Sequence, residues 1–168
     1  MTPKIAVTGS KGLVGRVITE GLSEKHFEVV GLDLPEVDVS KYNELKRHLN
    51  NVDAILHYAW DTYGENCKSN SISEVNQRMT LNVYNVASEL GIPRVVMASS
   101  NHAHRHELRD ERGMISPHIY PAVPDSPYGA SKLWMESLGR HYAIEENLEV
   151  ICLRIGNVNS ENAPPQNP

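Results

Sequence analysis

Two groups of residues in this sequence have the types and the spacing needed for chemistry. Near the start, Gly9, Gly12 and Gly15 stand three residues apart, directly after a short apolar run, and Tyr128 precedes Lys132 by four residues. A glycine-rich turn that opens a helix offers N–H groups and a positive helix end to a phosphate. A phenol beside an ammonium can move a proton near neutral pH. Together the two groups predict an enzyme that binds a dinucleotide and carries out a redox reaction.

Five short apolar runs rich in valine and isoleucine must position these residues. They span residues 4–8, 27–32, 54–58, 94–98 and 150–154. Because they lack strict alternation, they are typical of strands buried on both faces of a parallel sheet. The alternation of such strands with helical stretches predicts an α/β fold, a doubly wound parallel sheet of the Rossmann type, in one domain over residues 1–168.

Two stretches between the strands have apolar residues at helical spacing. One predicted helical face is Val14, Val17, Ile18 and Leu22, and the other is Val75, Met79, Val83, Val86 and Leu90. Two other stretches, 61–71 and 101–126, lack periodicity. Long loops at strand ends of such sheets usually cover a ligand, so we interpret residues 101–127 as a loop on the substrate side.

Composition excludes several classes of protein. The chain of 168 residues carries a formal net charge of −5 with 22% charged residues, which argues against nucleic acid as a partner. It contains no run of 18 apolar residues and begins without the pattern of a secretion signal, so we expect a cytoplasmic protein that does not enter membranes. Cys67 and Cys152 are its only cysteines, so a disulfide framework is not expected.

The glycine loop has a definite chemical interpretation. Gly9 allows the tight turn, Gly12 lets the backbone approach a phosphate, and Gly15 lets the helix pack on the sheet. Asp33 closes the second strand 18 residues after Gly15, close to the spacing at which a carboxylate meets the adenosine ribose. A negative charge there repels a 2′-phosphate, which favours NAD over NADP. Asp38 either bonds the adenine amino group or is a helix-start acid, and the sequence leaves both open.

Tyr128 and Lys132 share one face at the start of a helix that Pro127 introduces. A phenol has an unperturbed pKa of about 10, and a neighbouring ammonium lowers it, which makes Tyr128 the candidate base. The strand before this helix ends in Ser99 and Ser100, two hydroxyls at the sheet edge where ligands bind. Ser100 either stabilises a charge that develops on the substrate oxygen or caps a turn.

These residues together resemble the extended branch of the short-chain dehydrogenase/reductase superfamily, the NAD-dependent epimerase/dehydratase family, over residues 4–156. The segment 57–60, His-Tyr-Ala-Trp, is similar to that branch's segment after the strand beneath the nicotinamide. Asn82 matches the branch's helix asparagine, which implies support of Lys132 through backbone and water. As a polar residue in a helix, Asn82 also has a purely structural interpretation.

Within this branch, Ser100, Asn101 and His102 resemble the uronate dehydrogenases, which oxidise the anomeric carbon of a hexuronic acid with NAD. The resemblance implies that these three residues and Asn157 bind the sugar, that Tyr128 takes the C1 hydroxyl proton, and that Ser100, Tyr128, Lys132 and Asn82 form the catalytic set. The cofactor positions predicted from the motifs and the resemblance are Gly9, Lys11, Gly12, Leu13, Val14, Gly15, Asp33, Leu34, Asp38, Val39, Tyr58, Ala59, Trp60, Asn82, Ser99, Tyr128, Lys132 and Ile155.

The chain also departs from the pattern of this branch. An enzyme of the branch continues for roughly a hundred residues more, so we interpret residues 157–168 as the start of a truncated C-terminal region and the substrate domain as largely missing. No arginine follows Arg154, although one clamps the substrate carboxylate in uronate dehydrogenases. Only four residues separate Asp33 from Asp38, so the strand usually found there must be shortened or absent.

Three functions remain open at this point. The first is an NAD-dependent dehydrogenase that oxidises C1 of a uronic acid or an aldose, and the second is a nucleotide-sugar epimerase or dehydratase. The third is a shortened module that binds NAD without turnover. A homo-oligomer in which a partner protomer covers the substrate is compatible with the first. His102, His104 and His106 alternate on an irregular loop without a fixed acidic partner, so no metal is predicted.

Overall fold

The computed structural model describes residues 2–62, 72–104, 122–156 and 158. Its five strands are β1 (Lys4–Thr8), β2 (Glu28–Leu32), β3 (Ala54–His57), β4 (Arg94–Ser100) and β5 (Glu149–Ile155). All neighbouring strands pair in parallel in the order β2-β1-β3-β4-β5. The predicted doubly wound α/β sheet is therefore confirmed, with strand ends that differ from the predicted ones by one or two residues.

In the described ranges, four helices connect these strands. They are α1 (Leu13–Glu24), α2 (Tyr42–His48), α3 (Glu74–Leu90) and α4 (Pro127–Glu145), and a short 3₁₀ turn at Asn101–Ala103 follows β4. The end of α3 is set by Gly91, which adopts a left-handed conformation (φ 65°) that favours glycine. The start of α4 is set by Ser126, whose hydroxyl accepts a hydrogen bond from the Gly129 amide (3.0 Å), with Pro127 in the first turn.

The main core lies between the sheet and helices α2, α3 and α4. The predicted apolar face of α3 packs there through Met79, Val83 and Val86, which are buried, whereas Val75 in its first turn is 41% exposed and lies outside the core. The predicted face of α1 is partly wrong, because Val17 is 59% exposed. Gly15 is the buried residue of α1, and Val17, two positions later, points about 200° away from it around the helix.

The connection from β2 to α2 bears out the expected shortening. Residues 34–36 form a turn, and the segment 33–38, which is described throughout, contains no strand. Val37 and Val39 nevertheless pack into the main core, which anchors the connection. Asp33 and Asp38 are thereby held on the same side of the sheet edge.

In the part of the chain that is described, none of the helices combines the length and the apolar character that a membrane crossing requires.

Candidate functional site

The carboxyl ends of the parallel strands surround one groove. One cavity of about 630 Å³ is lined by the glycine loop, the end of β4 and the start of α4. A second cavity of about 540 Å³ lies beside it, between the glycine loop and the residues after β2. Because both are lined by Gly9, Gly12, Tyr58, Trp60 and Thr62, they form a continuous groove. Its position is the one at which open α/β sheets bind ligands.

The glycine loop is too tightly folded for side chains. Gly9 has φ +68°, and a Cβ on it would lie 2.5 Å from the Ala59 amide nitrogen. A Cβ on Gly15 would lie 2.0 Å from the Gly9 carbonyl oxygen, and one on Gly12 would lie 3.2 Å from the same oxygen. Since the first residues of α1 also line the groove, its positive end faces the cavity. The loop therefore fits a pyrophosphate, as the fold of a dinucleotide site requires.

Asp33 is held by backbone donors on both carboxylate oxygens. Oδ2 accepts a hydrogen bond from the Lys11 amide (2.7 Å), and Oδ1 accepts one from the Leu34 amide (2.8 Å). Each oxygen retains a second lone pair, and Asp33 lines the adjoining cavity. The carboxylate is therefore oriented at the end of β2, as a ribose-binding acid would be.

Asp38 lines the same cavity and also fixes the turn before α2. Its Oδ1 accepts hydrogen bonds from the hydroxyl (2.6 Å) and the amide (3.0 Å) of Ser40. The hydroxyl bond is the main reason that the pKa of Asp38 is lowered. Both interpretations of Asp38 that the sequence left open, adenine contact and turn-stabilising acid, are thus compatible with its position.

Asn82, on α3, contacts a residue that lines the second cavity but does not line that cavity itself. Its buried amide donates a hydrogen bond to the Val39 carbonyl (3.0 Å) and so supports the backbone beside Asp38. Lys132 instead donates to the carbonyl of Ala98 (2.8 Å). The expected support of Lys132 by Asn82 through backbone and water stays a prediction, and the direct contact of Asn82 was not predicted.

Tyr128 and Lys132 lie together at the other end of the groove. Lys132 is buried, and its Nζ lies 5.7 Å from the centroid of the Tyr128 ring and 3.3 Å from that of the Trp60 ring. The Tyr128 ring meets Trp60 and His102 edge-on, with centroids 6.3 and 5.8 Å apart. The phenol, the ammonium and the glycine loop therefore border the same cavity.

Ser100, Asn101 and His102 line this cavity beside Tyr128. The Ser100 hydroxyl accepts a hydrogen bond from the His102 amide (3.2 Å) and lies 3.2 Å from the Asn101 side-chain oxygen. Ser100 thus caps the 3₁₀ turn and also borders the cavity. Asn157, the fourth predicted sugar contact, lies outside the described residues.

Asp125 is a site residue that the sequence analysis missed. Its Oδ2 lies 2.7 Å from His102 Nδ1, and its Oδ1 accepts a hydrogen bond from the Ser126 hydroxyl (2.8 Å). Burial alone would raise the pKa of this carboxyl, but the hydrogen bonds from Ser126 and His102 outweigh burial and lower it. An ionised Asp125 therefore orients the His102 ring. The sequence feature that could have identified Asp125 is its position directly before Ser126, the residue that caps α4.

Glu136 is a second missed residue, four positions after Lys132 on α4. It accepts two hydrogen bonds from Arg154 (2.9 and 2.8 Å) and one from the Ser99 hydroxyl. This contact ties the ends of β4 and β5 to α4 behind the groove. Arg154 is thereby engaged inside the protein.

His57, at the end of β3, is buried beneath the groove. Its Nδ1 lies 2.7 Å from the Thr8 hydroxyl. Burial, and to a lesser degree the charge of Lys132, lower the pKa of His57 to about 3, so the ring is neutral near pH 7. Among the described atoms its Nε2 has no hydrogen-bond partner.

Most of the predicted cofactor positions line the groove. They are Gly9, Gly12, Leu13, Val14, Gly15, Asp33, Leu34, Asp38, Val39, Tyr58, Ala59, Trp60, Ser99, Tyr128, Lys132 and Ile155. Lys11 and Asn82 line neither cavity, and Lys11 turns its side chain to the Leu34 carbonyl and to Glu36. Within the described ranges, no group of three histidine, cysteine or acidic side chains could hold a metal ion, and His106 lies outside those ranges.

The fold and the groove define a Rossmann-type dinucleotide-binding domain. The sequence model of the NAD dependent epimerase/dehydratase family matches residues 5–168. The chain belongs to this family, in agreement with the resemblance noted in the sequence.

Several characterised proteins are similar to this chain. The L-arabinose 1-dehydrogenase (NAD(P)(+)) of Haloferax volcanii is 37% identical over 91% of this chain and 66% of its own length. The uronate dehydrogenase of Pseudomonas putida is 30% identical over 98% of this chain and 63% of its own. The crystal structure of UDP-N-acetylglucosamine 4-epimerase from Bacillus cereus superposes with a TM-score of 0.76 at 29% identity, covering 91% of this chain and 60% of that one. The chain thus spans just under two thirds of these relatives.

Proposed function

We propose that this chain is the dinucleotide-binding part of an NAD-dependent dehydrogenase that oxidises the anomeric carbon of a uronic acid or an aldose. The observation that carries the proposal is the common cavity of the glycine loop, Tyr128 and Lys132, bordered by Ser100 and His102. The similarity to an arabinose 1-dehydrogenase and to a uronate dehydrogenase supports the choice of a free sugar as substrate.

NAD fits the residues of the groove. The loop of Gly9, Gly12 and Gly15 would hold the pyrophosphate, because Cβ atoms on Gly9 and Gly15 would collide with neighbouring backbone, and the tight turn so formed presents the start of α1 to the cavity. Asp33 would accept hydrogen bonds from the ribose hydroxyls of adenosine. The end of the groove at Tyr128 and Lys132 would receive the nicotinamide half. When bound, NAD supplies the acceptor for the hydride that leaves C1.

Tyr128 is the proposed base. Its phenolate oxygen takes the proton of the C1 hydroxyl as the C1–O bond becomes a carbonyl. Lys132, held by Ala98 and Trp60, keeps a positive charge beside the phenol and thereby favours the phenolate. Ser100 and His102 are positioned to bond the sugar hydroxyls and fix C1 in front of Tyr128.

Few of the described groups in the cavity could select for a negatively charged substrate. Arg154 is engaged by Glu136 through two hydrogen bonds, so this arginine is an unsuitable carboxylate clamp. Of the described residues that line the cavity beside Tyr128, Lys132 and His102 are the ones that can carry a positive charge. Uronic acids and neutral aldoses therefore both belong in a substrate test.

A second candidate function is epimerisation or dehydration of a nucleotide sugar. It is supported by the similarity to the Bacillus cereus UDP-N-acetylglucosamine 4-epimerase, which is 29% identical. The same tyrosine and lysine would serve there, so the residues around Ser100 decide between the two functions.

The two functions are separated by one screen. The purified chain is mixed with NAD and, in turn, hexuronic acids, free aldoses and UDP-sugars, while NADH absorbance is followed and the products are identified by NMR. We expect NADH and a lactone from a free sugar. An altered UDP-sugar without net NADH would support the second candidate. NAD binding without any product would contradict turnover by this chain and would support the third function, a module that binds NAD without turnover.

A further inference from the structure

The side chain of Lys11 turns away from the glycine loop and back to the end of β2. Its amide donates to Asp33 Oδ2 (2.7 Å), while its ammonium lies 3.3 Å from the Leu34 carbonyl oxygen and forms an ion pair with the carboxylate of Glu36. Three charged side chains thus lie near the end of β2, where Asp33 lines the second cavity. Two are negative and one is positive.

This cluster lies where NAD and NADP differ. In a dinucleotide fold, the acid that ends the second strand bonds the 2′-hydroxyl of the adenosine ribose, and a nearby cation accommodates a 2′-phosphate. Asp33 holds the position of that acid and lines the cavity. Since the backbone amide of Lys11 donates directly to Asp33, its ammonium lies within one side-chain length of the Asp33 carboxylate.

Lys11 is the kind of residue that would attract a 2′-phosphate, but its charge is already engaged. The ammonium bond is the main reason that the pKa of Glu36 is lowered, so the carboxylate is ionised. The side chains of Lys11 and Glu36 are 56% and 65% exposed. Such an exposed pair is weak and screened by salt. Glu36 would therefore reduce the affinity of the Lys11 ammonium for a phosphate without abolishing it.

We propose that Glu36 is a specificity-determining residue of the cofactor site, which favours NAD by engaging Lys11 and by adding a second negative charge beside Asp33. The inference rests on the proposed use of NAD. It extends the preference that the sequence analysis assigned to Asp33 alone.

The test measures dissociation constants of NAD and NADP by calorimetry on the whole chain. The variants are Glu36→Gln, Lys11→Gln, their double variant, and Glu28→Gln as a matched control. Glu28 forms a comparable exposed pair with Lys4 (3.0 Å) at the opposite end of β2, and its loss changes the net charge equally.

We expect Glu36→Gln to tighten NADP binding about twofold to fivefold at low salt, with NAD changed less. The gain in NADP affinity should shrink toward about 0.5 M salt, because the Debye length falls from about 10 Å at 0.1 M to about 3 Å at 1 M. It should vanish in the double variant and be absent in Glu28→Gln.

The outcomes separate this inference from the proposed function. A wild-type chain that binds neither dinucleotide would contradict the proposed use of NAD. If the wild type binds NAD and the ratio of the NADP to NAD dissociation constants is unchanged in Glu36→Gln, the inference is overturned. It is also overturned if the gain in NADP affinity persists in the double variant that lacks Lys11.

Discussion

The ammonium of Lys132 lies 3.3 Å from the centroid of the Trp60 ring and donates a hydrogen bond to the Ala98 carbonyl. Lys132 is 3% exposed, so these contacts hold a buried cation in one place. Aromatic faces attract cations, and the attraction grows when the pair is removed from water. The two contacts therefore fix the charge on which the proposed reactivity of Tyr128 depends.

Replacing Trp60 with leucine should weaken this arrangement. We expect turnover near neutral pH to fall about tenfold, corresponding to the loss of one buried cation–π contact. Because a less fixed ammonium favours the phenolate less, activity should recover partly at higher pH. The measurement is the pH profile of kcat/KM, with Trp134→Leu as the control, since Trp134 lies exposed on α4. A profile lowered equally at every pH would refute the charge argument.

Removing the Asp33 carboxylate should weaken NAD binding. Asp33→Ala deletes the acceptor for the Lys11 and Leu34 amides and for the ribose hydroxyls, so we expect about tenfold weaker NAD binding and a smaller preference over NADP. Calorimetry of both dinucleotides measures this. Asp53→Ala is the control, because Asp53 likewise accepts from a backbone amide (Lys4, 2.7 Å), but at the amino end of the sheet. An unchanged preference would count against the ribose role.

Asp125 should act through His102 on sugar binding. In Asp125→Ala the imidazole loses its carboxylate partner, and we expect KM for the sugar to rise about threefold to tenfold while kcat changes less. Asp125→Asn retains an oxygen that can accept from Nδ1 and should remain closer to the wild type. Equal KM values in the two variants, measured under steady-state conditions, would exclude a positioning role.

Burial of neutral His57 makes stability depend on pH. The unfolded pKa is about 6.5 and the folded pKa is about 3, so this contribution is complete above pH 6.5 and is lost as pH falls from 6.5 toward 3. Urea unfolding should therefore show about 2 kcal/mol lost between pH 7 and pH 5 from this residue. His57→Gln should flatten that dependence on pH. His141→Gln, at an exposed position, should leave the dependence unchanged. The same slope in both variants would contradict the assignment.

The local features of this site could be predicted from the sequence because they depend on near neighbours. The glycine spacing, the strand before it and the four-residue step from Tyr128 to Lys132 determine their own geometry, and the parallel sheet brings them to one edge. The buried valine and isoleucine runs were sufficient to indicate the strands. The end of β4 was displaced by two residues because its pairing with β5 continues through Ser100.

Contacts between distant residues could not be predicted in this way. Asp125 meets His102 across 23 positions, Glu36 meets Lys11 across 25, and Asn82 meets Val39 across 43. Each partner is an ordinary polar residue until the fold brings the two together. The prediction for Val17 failed for a different reason. The buried residue of α1 is Gly15, which packs against the Gly9 carbonyl and has no apolar side chain to count in a helical pattern.

The most direct test of the proposed reaction replaces Tyr128 with phenylalanine. The account predicts that the NADH-forming rate with the sugar substrate falls at least about a hundredfold, since a general base contributes this much, while the dissociation constant for NAD changes less than about twofold. Tyr142→Phe, at the far end of the same helix, should retain the wild-type rate. A Tyr128→Phe chain that turns over at the rate of the Tyr142→Phe control would contradict the central claim.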